Sequence, residues 1–128
     1  MRAKSFHSDG ARHSQDAYLH DMLESAQFIL RYMEGIDYEA FWNDSEKRDA
    51  VAMRLSVVGE AAAHVTNEPA AKLKDVPFKD IRGMRNRIVH EYGRVDYAVV
   101  WKVTQDDIAA LVMALQKYLT QQPHSSSP

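Results

Sequence analysis

Between residues 15 and 121 the apolar residues of this chain return at three- and four-residue steps, and no stretch alternates with a sustained period of two. That periodicity puts apolar side chains on one side of a helix and excludes half-buried strands as the main elements. Leu19, Met22, Leu23, Ala26, Leu30 and Met33 form the first stripe, with Ser14 or Asp16 as its N-cap and Gly35 as its stop. Tyr38-Glu-Ala-Phe-Trp42 adds one or two turns. Ser45 caps a second long helix with Val51, Leu55, Val58, Ala62 and Val65 inside and Gly59 allowing close approach; Asn67-Glu-Pro69 ends it. Asp75-Val-Pro77 opens a third helix, Pro77 suiting its first position and Gly93 its exit. Asp96 caps a fourth, whose Val100, Ile108, Leu111, Val112, Leu115 and Leu119 run towards Pro123 with a kink at Asp106-Asp107. Four main helices joined by short loops predict an all-α fold, an antiparallel four- to five-helix bundle.

The chain of 128 residues is long enough to bury one core, and the reading is one helical domain over 15–121. A polar lead-in over 1–14 and a polar tail over 122–128 lack periodicity and are expected to be flexible. There is no cysteine, which excludes disulfides, thiolate nucleophiles and cysteine-rich metal sites and fits a reducing cytoplasm. The start has no apolar signal region, and no apolar run approaches the ~20 residues of a membrane span. The expectation is a soluble cytoplasmic protein without a membrane partner.

Within the third helix one charge is out of place. At about 100° per residue, Phe78, Ile81, Ile88, Val89 and Tyr92 all fall within roughly 60° of Arg85. Burying an unpartnered guanidinium costs several kcal/mol, so Arg85 pairs with an acid such as Glu60, lies at an interface, or binds an anion. The net charge of −2 argues weakly against nucleic acid, but its distribution reverses that inference. Residues 72–94 hold seven Lys or Arg against three acids, and the remainder holds nine against fifteen.

On a continuous helix His90 lies about 140° round from Arg85, whereas Asn86 lies one turn before His90 on its face. Either the helix breaks near His90 or a second copy supplies the missing group. The second copy is the favoured reading, since a two-fold axis past this helix would bury the Arg85 stripe and join the polar groups in one cleft. Histidine suits proton transfer near neutral pH, and arginine presents a fork to phosphate oxygens. Together they suit cleavage of an RNA phosphodiester by its own 2′-hydroxyl, with no metal or other cofactor. His90 would move the proton, Arg85 would stabilise charge on the phosphoryl oxygens, and Asn86 would hold the imidazole. The six histidines contain no i, i+4 pair, which makes metal binding a weak alternative.

The string Ile81-Arg-Gly-Met-Arg-Asn-Arg-Ile-Val-His-Glu-Tyr92, followed by Val95-Asp96 and Val99-Val-Trp101, resembles the HepT-like toxins of the HEPN ribonuclease superfamily. So does Val58-Gly-Glu-Ala61, and the similarity runs over roughly residues 15–120. The resemblance implies a helical bundle dimerising through the motif helix, with a composite, metal-independent endoribonuclease site. Arg85 and His90 would be its catalytic residues, with Asn86 and Arg87 in support. It also implies a toxin neutralised by a small nucleotidyltransferase antitoxin of the minimal type, which would transfer AMP to Tyr92. A non-catalytic helical module that binds such a partner is the alternative, but the presence of Arg85, His90 and Tyr92 together favours the enzyme.

Overall fold

The computed structural model describes residues 8–89 and 94–121, and among them every regular element is helical. The long elements are α1 (Ser8–Met33), α3 (Ser45–Ala63), α7 (Tyr97–Asp106) and α8 (Ile108–Thr120). Short ones lie between them: α2 (Tyr38–Asn43), α4 (Asn67–Lys72), α5 (Phe78–Arg82) and α6 (Met84–Ile88). The all-α bundle read from the periodicity is therefore observed, and no helix among the described residues is long and apolar enough to cross a membrane.

α1 and α3 run antiparallel, as the contacts at both ends show. Near the start of α1, the Gln15 amide donates to the His64 carbonyl at 2.9 Å and accepts from the Thr66 N–H at 2.8 Å, just past the end of α3. At the other end, Lys47 Nζ donates to the Tyr32 carbonyl at 2.9 Å. The stripe between them is Leu19, Met22, Ala26, Ile29 and Met33 against Val51, Leu55, Val58 and Ala62, all buried. Burying such aliphatic side chains is worth roughly 1.5–3 kcal/mol each. Leu30, expected inside, is 36% exposed and Ile29 takes its place. Alternating steps of three and four from Leu19 reach 29, not 30.

α8 covers the other side of α1 and is antiparallel to it as well. Its Tyr118, near the C-terminal end, has its phenol pKa raised by burial and then by Asp16 and Glu68, which puts it beside the start of α1. Ile108, Leu111, Val112, Leu115 and Leu119 are buried as expected, and the predicted kink is a full break between α7 and α8 at Asp107.

Several helix ends differ from the sequence reading. Ser14 and Asp16 lie inside α1, because the helix already runs from Ser8. Gly35 ends it with a positive φ of 71°, the left-handed conformation that glycine adopts without steric cost. Asp44 rather than Ser45 caps α3, accepting from the Lys47 N–H at 3.0 Å. Asn67-Glu-Pro69 begins α4 after α3 has stopped at His64, and Pro77 sits at the N-cap of α5, one place before the first helical position.

Candidate functional site

The segment from Leu73 to Asp96 is folded from short pieces. Val76 donates to the Leu73 carbonyl and Phe78 to that of Val76, forming the turns that lead into α5. α5 lies on α3 with Phe78 and Ile81 buried, and it is tied there by Arg82. The Arg82 Nε donates to the Ala62 carbonyl at 3.1 Å, which also accepts from the Val65 N–H, and the terminal nitrogen donates to the Val65 carbonyl at 3.0 Å, just past the end of α3. Its guanidinium also lies 5.5 Å from the Phe78 ring centre.

A continuous motif helix is not what the structure holds. Gly83 ends α5, consistent with the low helix propensity of glycine, and α6 runs only to Ile88. Val89 then pairs with Val95 in an isolated antiparallel bridge, and the Asp96 N–H donates to the Ile88 carbonyl. The β-branched Ile88-Val89 pair favours this turn to extended backbone. Asp96 in turn caps α7, accepting from the N–H groups of Ala98 at 3.2 Å and Val99 at 3.3 Å. Of the two readings offered for His90, the helix does break. The angle of about 140° supposed an unbroken helix, so the geometric argument for a second copy lapses.

The predicted site residues fall as follows. Arg85 lies on α6, and its side chain is outside what the structure describes. Phe78, Ile81 and Ile88 of its expected stripe are buried and Val89 is half-buried. Glu60, offered as a buried partner for Arg85, instead faces solvent with 68% of its side chain exposed, 3.9 Å from His64. Asn86 and Arg87 are exposed on α6, which stops at Ile88. His90, Tyr92 and the expected exit at Gly93 lie outside the described residues, bracketed by the Val89–Val95 bridge. Of the other basic residues in the 72–94 stretch, Lys72, Lys74, Lys79 and Arg94 are exposed, and Arg82 is half-buried.

Next to that bracket is a cluster of rings around Arg48. Its guanidinium lies 4.6 Å from the ring centre of Tyr97 and 5.5 Å from that of Trp42, and its buried Nε has no hydrogen-bond partner among the described residues. The Tyr97 hydroxyl donates to Asp49, which is the main cause of a phenol pKa raised above the ordinary value, with burial second. Tyr38 stacks on Trp42 with ring centres 5.9 Å apart and meets Trp101 edge-on at 5.3 Å.

A cleft of about 430 Å³ opens on the other side of the segment, between α5, α6 and the α7–α8 break. Val58, Ile81, Met84, Val103, Ile108 and Leu111 give it an apolar floor. Asp75, Asp80, Arg87, Lys102, Asp106 and Asp107 stand round its rim, with Lys102 and Asp106 paired at 3.0 Å. Sequence reasoning marked Arg87 as supporting and Asp106-Asp107 as a kink. It did not find the cleft, because the other contributors are scattered over five helices and the loop before α5. Nor did it single out Arg82, although Arg82 shares the basic string with Arg85.

Residues 22–118 match the model of the family described as "Ribonuclease HepT-like". Among individual proteins, the chain is 37% identical over 92 residues to "Putative RNase MJ1380" of Methanocaldococcus jannaschii, covering 72% of this chain and 84% of that one. It is 29% identical over 106 residues to "Probable ribonuclease HepT" of Thermococcus cleftensis, covering 83% and 96% respectively. No solved structure matches the chain significantly.

Proposed function

Because the chain belongs to the HepT-like ribonuclease family, we propose that it is a metal-independent endoribonuclease acting as the toxin of a toxin–antitoxin pair. The observation that carries the reading is that the family match over 22–118 encloses the whole Arg85, His90 and Tyr92 string. In the proposed reaction the ribose 2′-oxygen attacks phosphorus and the 5′-oxygen leaves, giving a cyclic phosphate and a 5′-hydroxyl. His90 carries the proton from the one oxygen to the other, and Arg85 offsets the charge that grows on the phosphoryl oxygens. Asn86 and Arg87, exposed on α6 next to Arg85 in the sequence, support the approach of the RNA backbone.

The site is composite in this reading, as the family resemblance implies apart from any helix geometry, with Arg85 and His90 drawn from two copies of the chain. An Arg85→Ala protein and a His90→Ala protein should each be inactive on RNA. Mixing and refolding them together should give activity well above either parent, since a heterodimer carries one intact pair. Confirmed heterodimers without activity would remove the shared site.

The control of this toxin is assigned to Tyr92. A small nucleotidyltransferase would move AMP from ATP to the phenolic oxygen with release of pyrophosphate, adding charge and bulk where RNA phosphate must approach Arg85. Incubation of the chain with such an enzyme and ATP should add the mass of AMP to the peptide containing Tyr92. Modification solely at other residues would sink the assignment.

A further inference from the structure

The cleft beside α6 is not used by the Arg85 and His90 chemistry, yet it shares the Met84–Ile88 helix with Arg85. Its volume of about 430 Å³ lies in the range of small-ligand sites. The floor, which includes Ile81, Met84 and Ile108, is apolar and takes a flat ring in place of water. The rim has more carboxylates than cations, and Lys102 is already engaged by Asp106. The carboxylates of such a rim accept N–H groups. Among the described residues, Asp80 and Asp107 accept no side-chain hydrogen bond, and Asp107 makes no side-chain cap bond to α8.

We infer that this cleft is a guanine subsite, which selects the phosphodiester to be cut by binding the base of a neighbouring nucleotide. The inference rests on the ribonuclease reading above. A carboxylate has two acceptor oxygens side by side, and guanine presents two adjacent donors, N1–H and N2–H, on one edge. Adenine and cytosine each set a ring-nitrogen acceptor beside their amino group, and uracil flanks its one N–H with carbonyls. Any of these turns a lone pair towards the carboxylate. Arg87, on the rim and two residues from Arg85 in the sequence, then meets the phosphate that follows the base. Met84 and Arg87 of the cleft flank Arg85 on α6, a helix about 7.5 Å long, so the cleft and Arg85 serve neighbouring positions along one strand.

The test uses the full chain in two arms. In the first, GMP, IMP, AMP, CMP and UMP are titrated while amide and methyl signals of Ile81, Met84 and Ile108 are followed by NMR. GMP is expected to bind roughly tenfold or more tightly than AMP, the ratio that one hydrogen bond to a charged group supports. IMP, which lacks the 2-amino group, should fall between them. Asp80→Asn and Asp107→Asn, both at exposed positions, should keep the fold, and at least one should abolish the preference. In the second arm, RNA oligonucleotides differing at one nucleotide are cleaved, and replacing guanosine by inosine beside the cut should slow cleavage severalfold.

Equal binding of GMP and AMP would overturn the subsite, as would a preference that survives both substitutions. Shifts of those signals caused by a short lysine–leucine peptide and not by GMP would assign the cleft to a basic protein segment instead. A clear GMP preference in a chain that cuts no RNA would leave the nucleotide site standing and remove the ribonuclease reading.

Discussion

The frame made by α1, α3 and α8 and the segment from Leu73 to Asp96 draw their order from different sources. In the frame, helices of 26, 19 and 13 residues bury one continuous stripe each, and few polar contacts are needed to align them. In the segment, α5 and α6 have five residues apiece, too short to persist alone. They are held by Phe78, Ile81 and Ile88 against α3, by the two Arg82 bonds, and by the Val89–Val95 bridge. The residues proposed for chemistry lie on the pieced segment. α6 ends at Ile88, so the fixed angular spacing of a straight helix does not apply between Arg85 and the residues after it.

The largest expected effect breaks the frame. Leu55 has no exposed surface and lies at the centre of the α3 stripe. Leu55→Ala should cost about 2–5 kcal/mol, the transfer of the side chain plus the cavity it leaves. Urea denaturation should show a lower midpoint with an unchanged slope. A loss below about 1 kcal/mol would mean that the site collapses easily and that the frame is less tightly packed than its burial indicates.

The contrast also explains what was legible beforehand. Periodicity finds long helices, so the stripes of α3 and α8, the stop at Gly35, the cap at Asp96 and the break at Asp106-Asp107 could be read from the sequence. The site segment was legible as a motif and not as a shape. Residues 78–92 keep a helical pattern while the chain leaves the helix at Ile88, because the Ile88 carbonyl takes its proton from Asp96 N–H. That bond joins residues eight apart, beyond the reach of any pattern of three and four. Glu60 reads as half-apolar from its neighbours in Val58-Gly-Glu-Ala-Ala62, yet it takes the solvent side of α3 next to His64. Arg82 and Arg85 are alike in a basic string, and what distinguishes Arg82 is its pair of bonds to the Ala62 and Val65 carbonyls where α3 happens to end.

A smaller effect sharpens the comparison from the side of the segment. Arg82→Met keeps much of the aliphatic stem that packs by Phe78 and removes both charged donors from the Ala62 and Val65 carbonyls. Arg82 is only half-buried and water can replace part of what is lost, so the cost should be about 1–2 kcal/mol, below that of Leu55→Ala. The loss should also be local. Hydrogen exchange should quicken at the amides of Ile81, Gly83, Asn86 and Arg87, which bond within α5 and α6, while amides in the middle of α1 and α3 keep their protection. Uniform loss of protection would mean that the segment and the frame open as one unit, and the distinction between them would fail. Local loss with lower RNA cleavage would place Arg82 as a positioning residue, because among the described residues its guanidinium bonds the Ala62 and Val65 carbonyls and lies by Phe78, so it acts on the motif through α5.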